Sequence, residues 1–285
     1  MNSRMYDDSF TSALKRGYFN MPIAIRTIIS INVVVFIIQA LGGPGLNGAL
    51  ISYLGYMPEW GTAATQPWRL VTYMFLHGSF LHLLFNMLWL WWMGRPVESQ
   101  LGPRNFLVLF LGSGIGGALI NLLFSGLFLS NITIGASGAV FGIMVSFAFI
   151  FPRTPIMLLF LPPIEARFLV AGLIAFDMLF IASADNVARI VHLGGAFSGY
   201  VLLRLYYRGY NYDLWMESFG KKLKRDKNMA RKKKTKMHSV SEAEIIEEYD
   251  QSELDRILDI ISKKGYEGLS EDEKRILFEL SKKNK

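Results

Sequence analysis

The stretch Gly135-Ala136-Ser137-Gly138 opens an apolar segment, GASGAVFGIMVSFAFIF, that runs to Phe151. A segment of this length and apolarity can enter a lipid bilayer as a helix. A later apolar segment carries His192, which is followed by Leu193-Gly194-Gly195. A hydroxyl in a membrane helix is common. An ionisable imidazole there costs free energy, so it is a candidate functional group. A serine and a histidine, each flanked by glycines on separate membrane helices, indicate a hydrolase that works inside lipid.

The composition of the chain favours a polytopic membrane protein. Of its 285 residues 52% are hydrophobic, and the mean hydropathy is +0.30, which is too apolar for an ordinary soluble enzyme. The chain has no cysteine, which excludes disulfides and thiol chemistry. We therefore predict an all-α fold, a six-transmembrane-helix bundle joined to a small soluble helical unit. The six predicted spans are 23–41, 79–94, 105–129, 135–151, 166–183 and 188–207.

Lys and Arg are concentrated in alternate connections between these spans, and this asymmetry predicts the orientation of the chain. The connections on the opposite side are poor in basic residues, with Arg69 and Arg189 as exceptions. Both termini are therefore predicted to be cytoplasmic. The basic residues that carry this prediction are Lys15, Arg16, Arg26, Arg95, Arg104, Arg153, Arg167, Arg204 and Arg208.

The chain divides into four parts by composition. These are a cytoplasmic N-terminal tail (1–21), the six-helix membrane domain (22–208), a basic linker (209–240) and a small helical cytoplasmic unit (241–285). In the last part, Ser252 and Ser270 each begin a sequence typical of a helix N-terminus. The spacing of Leu254, Ile257, Leu258 and Ile261 predicts one apolar stripe, and that of Ile276, Leu277 and Leu280 another.

The linker contains a run, Lys221–Lys236, with ten Lys or Arg residues and one acid. Such a run is usually a solvated segment that enforces orientation. The alternative is that it binds anionic lipid of the inner leaflet. Nucleic acid is not a predicted partner, because the run lacks interleaved aromatic residues and lies against a membrane.

Small residues four apart flank the serine and the histidine. Gly138 and Gly142 follow Ser137, and Gly195 and Gly199 follow His192. Such pairs let transmembrane helices approach closely, and most of them serve packing alone. If the fourth and sixth spans pack through these glycines, Ser137 and His192 come within hydrogen-bonding reach.

The predicted chemistry is nucleophilic attack by Ser137 on a peptide carbonyl, with His192 as the general base. No Asp or Glu is placed to complete a triad, so a Ser-His dyad is predicted. His82 and Asn86 are four apart on one face of the second span, at the same predicted depth. Their side chains and the Ser137 backbone N–H are candidate donors to the negative oxygen of the intermediate. Phe141, one turn beyond Ser137, is predicted to stack on His192.

No metal or other cofactor is predicted. His77, His82 and His192 are three possible ligands, but no carboxylate shares their faces. In addition, His77 and His82 are five apart, which does not give the one-face geometry of an HExxH zinc site.

The chain resembles the rhomboid family of intramembrane serine proteases, of the bacterial type, over about residues 22–208, which implies a location in the inner (plasma) membrane of a bacterium. The resemblance implies a six-helix core, Ser137 as nucleophile, His192 as base, and oxyanion contacts from His82 and Asn86. It also implies that the fifth span and the adjacent loop, 182–185, gate lateral entry of substrate. The motifs that carry it are Trp68-Arg69, His77-xxxx-His82-xxx-Asn86, Gly135-Ala136-Ser137-Gly138 and His192-Leu193-Gly194-Gly195-Ala196-xx-Gly199.

Two other functions compete with proteolysis of transmembrane helices near the outer face. One is a non-catalytic, rhomboid-like scaffold that binds transmembrane helices, for which the residues would serve packing only. The other is a transporter, which needs ionisable residues along a path through the membrane and internal repeats. The polar residues here cluster at one depth, which disfavours a transporter. The sequence leaves the oligomeric state open.

Overall fold

A computed structural model describes residues 10–125, 131–157, 162–181, 186–210, 212 and 252–283. The chain separates into two units, Met1–Leu214 and Trp215–Lys285. The basic run Lys221–Lys236 lies outside the described residues, as does the predicted gating loop 182–185.

Helices make up nearly all of the first unit in its described parts. The helices are α1 (Phe10–Phe19), α2 (Ile23–Leu41), α3 (Gly43–Leu54), α4 (Trp60–Thr65), α5 (Arg69–Thr72), α6 (Phe80–Leu101), α7 (Pro103–Leu123), α8 (Ser137–Ile150), α9 (Ala166–Leu179) and α10 (Asn186–Tyr207). A 3₁₀ turn, Tyr73–Phe75, follows α5. The predicted all-α class is confirmed.

Two described helices, α2 and α7, are long and apolar enough to cross a membrane by themselves. A third candidate is the pair formed by Arg69–Phe75 and α6, which bends by 99° at the residues between them. Helix α8 is apolar but has only 14 residues. The count of six spans stays a prediction.

Helices α8 and α10 pack through the glycines that flank Ser137 and His192. A Cβ on Gly195 would lie 2.1 Å from the Gly138 carbonyl oxygen, and one on Gly199 would lie 2.5 Å from the Gly142 Cα. No side chain fits at such separations, so the two backbones touch directly. This close approach brings the first turn of α8 beside the first half of α10.

The segment between α2 and α6 forms the short helices α3, α4 and α5. Arg69 fixes it by donating hydrogen bonds to the carbonyl oxygens of Gly55, at 2.7 Å, and Ser52. An antiparallel bridge joins Tyr56 to Thr133, in the connection between α7 and α8. The segment is therefore attached to the connection that leads into Ser137.

A buried carboxylate holds the start of α2. Glu98, which is 3% exposed, accepts hydrogen bonds from the Ala24 and Ile25 backbone N–H groups, each at 2.9 Å. These N–H groups have no partner inside their own helix, and the helix N-terminus favours negative charge. The predicted tail before α2 contains the helix α1, from which the Tyr18 hydroxyl bonds that of Ser30 at 2.7 Å.

A short antiparallel pair of strands separates α8 from α9. Strand β1 (Pro155–Ile156) pairs with β2 (Ile164–Glu165), with Ile156 opposite Ile164. Ile156 is 1% exposed and belongs to the core of the bundle.

In its described residues, 252–283, the second unit has two helices, α11 (252–264) and α12 (Glu271–Lys283), with a 3₁₀ turn Tyr266–Gly268 between them. The predicted cap at Ser270 is confirmed: its Oγ accepts from the Glu273 N–H, and Glu273 accepts from the Ser270 N–H. Ile257 is buried as predicted, whereas Leu258 is 50% exposed and lies off the predicted stripe.

Candidate active site

A glycine with a left-handed backbone leads into α8. Gly135 has φ +125°, and its N–H donates to the Tyr73 carbonyl oxygen at 2.9 Å. A Cβ on this residue would lie 2.6 Å from the His82 ring. Both the conformation and the space therefore require glycine here, and the chain then turns so that Ser137 is the first residue of α8.

Ser137 and His192, 55 positions apart in the chain, meet across the contact of α8 and α10. The Ser137 Oγ lies 2.7 Å from the His192 Nε2. The Phe141 ring stacks on the imidazole, with 4.6 Å between ring centroids and 8° between planes. The imidazole is thus held on one face by an aromatic ring and at one edge by a hydroxyl.

The pair opens into a cavity of about 390 Å³. The His82 and Asn86 side chains line the same cavity, as do apolar side chains of α6, α8 and α9. The other lining residues are Leu81, Phe85, Trp89, Ile134, Val140, Met144 and Leu173, with Phe141 completing the wall. The polar groups are few and lie together, an arrangement typical of a site that orients a largely apolar ligand.

Asn86 is 6% exposed, and its Nδ2 donates to the His82 carbonyl oxygen at 2.9 Å. This bond uses one of the two N–H bonds of the amide. The first N–H groups of α8, beginning at Ser137, have no partner within the helix. The cavity thus combines a side-chain amide with a helix N-terminus, which together suit a developing negative charge.

His77 does not line the cavity with His82. It is 2% exposed, and its ring packs edge-on against that of His82, with centroids 5.0 Å apart. Its backbone N–H donates to the Gln39 side chain at 3.1 Å. Within the described residues, the histidines, aspartates and glutamates form no group of three that could hold a metal ion.

The expectation that no carboxylate reaches the base was wrong. Asp177 of α9 lies 2.8 Å from the His192 Nδ1, on the ring edge opposite Ser137. Its other oxygen accepts from Arg189 at 3.0 Å. The sequence contained a signal, because an acid inside one predicted span and a base at the start of the next are costly in lipid unless they pair. The contact joins two helices, so no spacing within a single helix indicates it.

Comparison with known proteins identifies the class. The rhomboid domain family matches residues 64–209, just over half of the chain, so the chain belongs to the rhomboid family. It is an all-α polytopic integral membrane protein. A second match, to a family of unknown function called DUF6576, covers residues 247–283 in the C-terminal unit.

Curated bacterial relatives are similar to this chain over its membrane unit. Rhomboid protease GlpG of Serratia proteamaculans is 34% identical over 168 residues, 58% of each chain. Rhomboid protease GlpG of Yersinia enterocolitica is 30% identical over 183 residues, 64% of this chain and 61% of the relative. Rhomboid protease GluP of Bacillus subtilis is 29% identical over 172 residues, 60% of this chain and 32% of the relative. The chain spans less than two thirds of these relatives.

Proposed function

We propose that this protein is an intramembrane serine endopeptidase that cleaves transmembrane helices of other membrane proteins near the outer face. The observation that carries the proposal is the 2.7 Å separation of the Ser137 Oγ and the His192 Nε2 within a cavity of the membrane unit. The resemblance to proteins called rhomboid proteases supports the same activity.

Acylation forms one bond and breaks another. The Ser137 Oγ bonds to the scissile carbonyl carbon while its proton passes to the His192 Nε2. The intermediate then collapses, the C–N bond breaks, and the same proton leaves on the amine. Water next attacks the acyl carbon and gives a proton to His192. The bond between the acyl carbon and the Ser137 Oγ then breaks, Ser137 takes the proton from His192, and the carboxylic acid is released.

His82 and Asn86 stabilise the negative oxygen of the intermediate together with the Ser137 N–H. Such donors accelerate a reaction because they are already oriented before the charge develops. Phe141 keeps the imidazole in plane for both proton transfers. Gly138, Gly142, Gly195 and Gly199 hold α8 and α10 close enough for the pair to form.

The substrate must present an unwound segment to Ser137. Carbonyl groups of an intact membrane helix are already hydrogen-bonded and shielded, so local unwinding precedes attack. Helix-breaking residues near the cut site therefore favour cleavage. No cofactor takes part in this mechanism.

A fluorophosphonate probe tests the proposal in lipid-reconstituted full-length protein. We expect covalent labelling at Ser137, its loss in Ser137→Ala, and strongly reduced labelling in His192→Ala. Ser146→Ala is the control, because Ser146 is a second serine of α8 but is fully buried and donates to the Gly142 carbonyl oxygen. A folded wild-type protein that takes up no probe would contradict the proposal and favour the helix-binding scaffold.

A further inference from the structure

The Asp177 carboxylate joins two side chains of α10 from its position on α9. It is 8% exposed, and its two oxygens face different partners. Oδ2 lies 2.8 Å from the His192 Nδ1, and Oδ1 accepts from the Arg189 Nη1 at 3.0 Å. A carboxylate can only accept hydrogen bonds, so the proton of the His192 contact lies on Nδ1.

Arg189 is itself held by the helix that carries Asp177. Its guanidinium lies over the rings of Phe176 and Phe180, at 5.5 Å and 5.6 Å from the ring centroids. A guanidinium can only donate hydrogen bonds. Arg189 therefore occupies one Asp177 oxygen, Oδ1, and the other oxygen, Oδ2, is left to accept from His192.

We propose that Asp177 is a positioning residue, the third member of a Ser137–His192–Asp177 triad, a role that rests on the serine protease function proposed above. By accepting the Nδ1–H, it leaves the Nε2 lone pair facing Ser137, as general-base chemistry requires. It also stabilises the imidazolium that forms when His192 takes the serine proton. Asp177 gains no proton at any step, because the Ser137 proton goes to Nε2 and then to the amine.

Asp177→Asn tests this role with little change in shape. Arg189 can only donate, so it takes the amide oxygen and directs the NH₂ group at the His192 Nδ1. The imidazole must then carry its proton on Nε2, where it cannot accept from Ser137. We expect kcat to fall by roughly 10²–10⁴-fold, with little change in KM, by analogy with other serine hydrolases.

A second substitution should partly reverse the first. In Asp177→Asn/Arg189→Met the amide is free to turn its oxygen toward Nδ1, which restores the productive tautomer. We expect the double variant to recover at least about tenfold of the lost kcat. If the Asp177–Arg189 pair contributed only to structure, the double variant should lose at least as much kcat as Asp177→Asn, because it removes both partners.

The tautomer can be read without any turnover. The chain has four histidines, so 15N spectra of histidine-labelled full-length protein in lipid can be assigned with a His192→Asn variant. We expect the His192 proton on Nδ1 in the wild type and on Nε2 in Asp177→Asn. This measurement needs no cleavable substrate, so it distinguishes failure of the proposed triad from failure of the proposed function.

Glu98→Gln is the matched control, because Glu98 is also a buried carboxylate but caps α2 away from the cavity. It should lower thermal stability while leaving kcat, measured below the melting transition, and the His192 tautomer unchanged. The proposed triad is overturned if Asp177→Asn keeps kcat within about threefold of wild type. It is also overturned if the His192 proton stays on Nδ1 in Asp177→Asn.

Discussion

Arg69 and Arg189 are the two basic residues that interrupt the charge pattern of the chain, and at residue scale both are explained by their partners. Arg69 is 8% exposed and donates to the Gln66 side chain at 2.6 Å and the Gly55 carbonyl oxygen at 2.7 Å. Arg189 pairs with Asp177 at 3.0 Å. A basic residue with such partners stabilises local structure, so its position says little about membrane orientation.

Asn86→Ala is the prediction that belongs to a single residue. If the amide donates to the developing oxyanion, its removal should lower kcat by about tenfold to a thousandfold without unfolding the protein. Steady-state cleavage of a transmembrane substrate in lipid measures this change.

Asn32→Ala is the control for that measurement. Asn32 is buried and makes the same kind of bond, from its Nδ2 to the Ile28 carbonyl oxygen at 2.8 Å, but it lies on α2 and does not line the cavity. Equal losses of kcat in the two variants would remove the oxyanion role and leave a general effect of a buried amide.

At the scale of elements, the sequence predicted contacts between helices better than it predicted connections. Gly138, Gly142, Gly195 and Gly199 stood in patterns typical of close packing, and the structure has α8 and α10 touching there. Helices α3 to α5 were not predicted, because their segment is rich in glycine and proline and is held by long-range bonds such as that between Tyr56 and Thr133. The contact of Asp177 with α10 was missed although it joins two helices, because no spacing within a single helix records it.

Gly195→Ala tests the contact of α8 and α10. The added methyl group would meet the Gly138 carbonyl oxygen, so the helices must separate. We expect a loss of about 1–3 kcal/mol of unfolding free energy, as for other overpacked sites, and a fall in activity as Ser137 moves away from His192. Thermal inactivation in lipid measures the first effect.

Gly172→Ala is the matched control for Gly195→Ala, because a Cβ at Gly172 of α9 would meet nothing within 4 Å. It should be neutral or slightly stabilising, since alanine favours helix more than glycine does. Equal destabilisation by both substitutions would contradict the proposed packing role of Gly195.

The start of α12 provides a prediction about pH. Hydrogen bonds from the Ser270 N–H and Oγ lower the pKa of Glu273 below its ordinary value of 4.5. This contribution to stability is therefore present above pH 4.5 and is lost as the pH falls through the lowered pKa. Hydrogen exchange of α12, corrected for intrinsic rates, should show weaker protection at acidic pH in the wild type.

Ser270→Ala removes the capping side chain. It should raise the equilibrium constant for local opening of α12 by roughly threefold or more at neutral pH. Ser262→Ala, in the exposed part of α11, is the control and should leave the exchange of α12 unchanged. Protection of α12 that is the same in Ser270→Ala as in the wild type would show that the cap does not contribute.

At the scale of the whole molecule, the membrane unit and the C-terminal unit differ in how far sequence could define them. Paired motifs, apolar runs and charge bias predicted the helical class and a meeting of Ser137 with His192. Helices α3 to α5 depend on tertiary contacts that no local pattern records. The linker, 209–240, lies almost wholly outside the described residues, so lipid binding by Lys221–Lys236 stays a prediction.

Cleavage in proteoliposomes is the most direct test of the claim that Ser137 and His192 form a protease site in the membrane. The substrate is a single transmembrane helix with helix-breaking residues near its outer end, and mass spectrometry locates the cut. We predict one defined cut by the wild type, and no product from Ser137→Ala or His192→Ala. Cleavage by Ser137→Ala at the wild-type rate, or no cleavage of any such helix by folded wild-type protein, would contradict the claim.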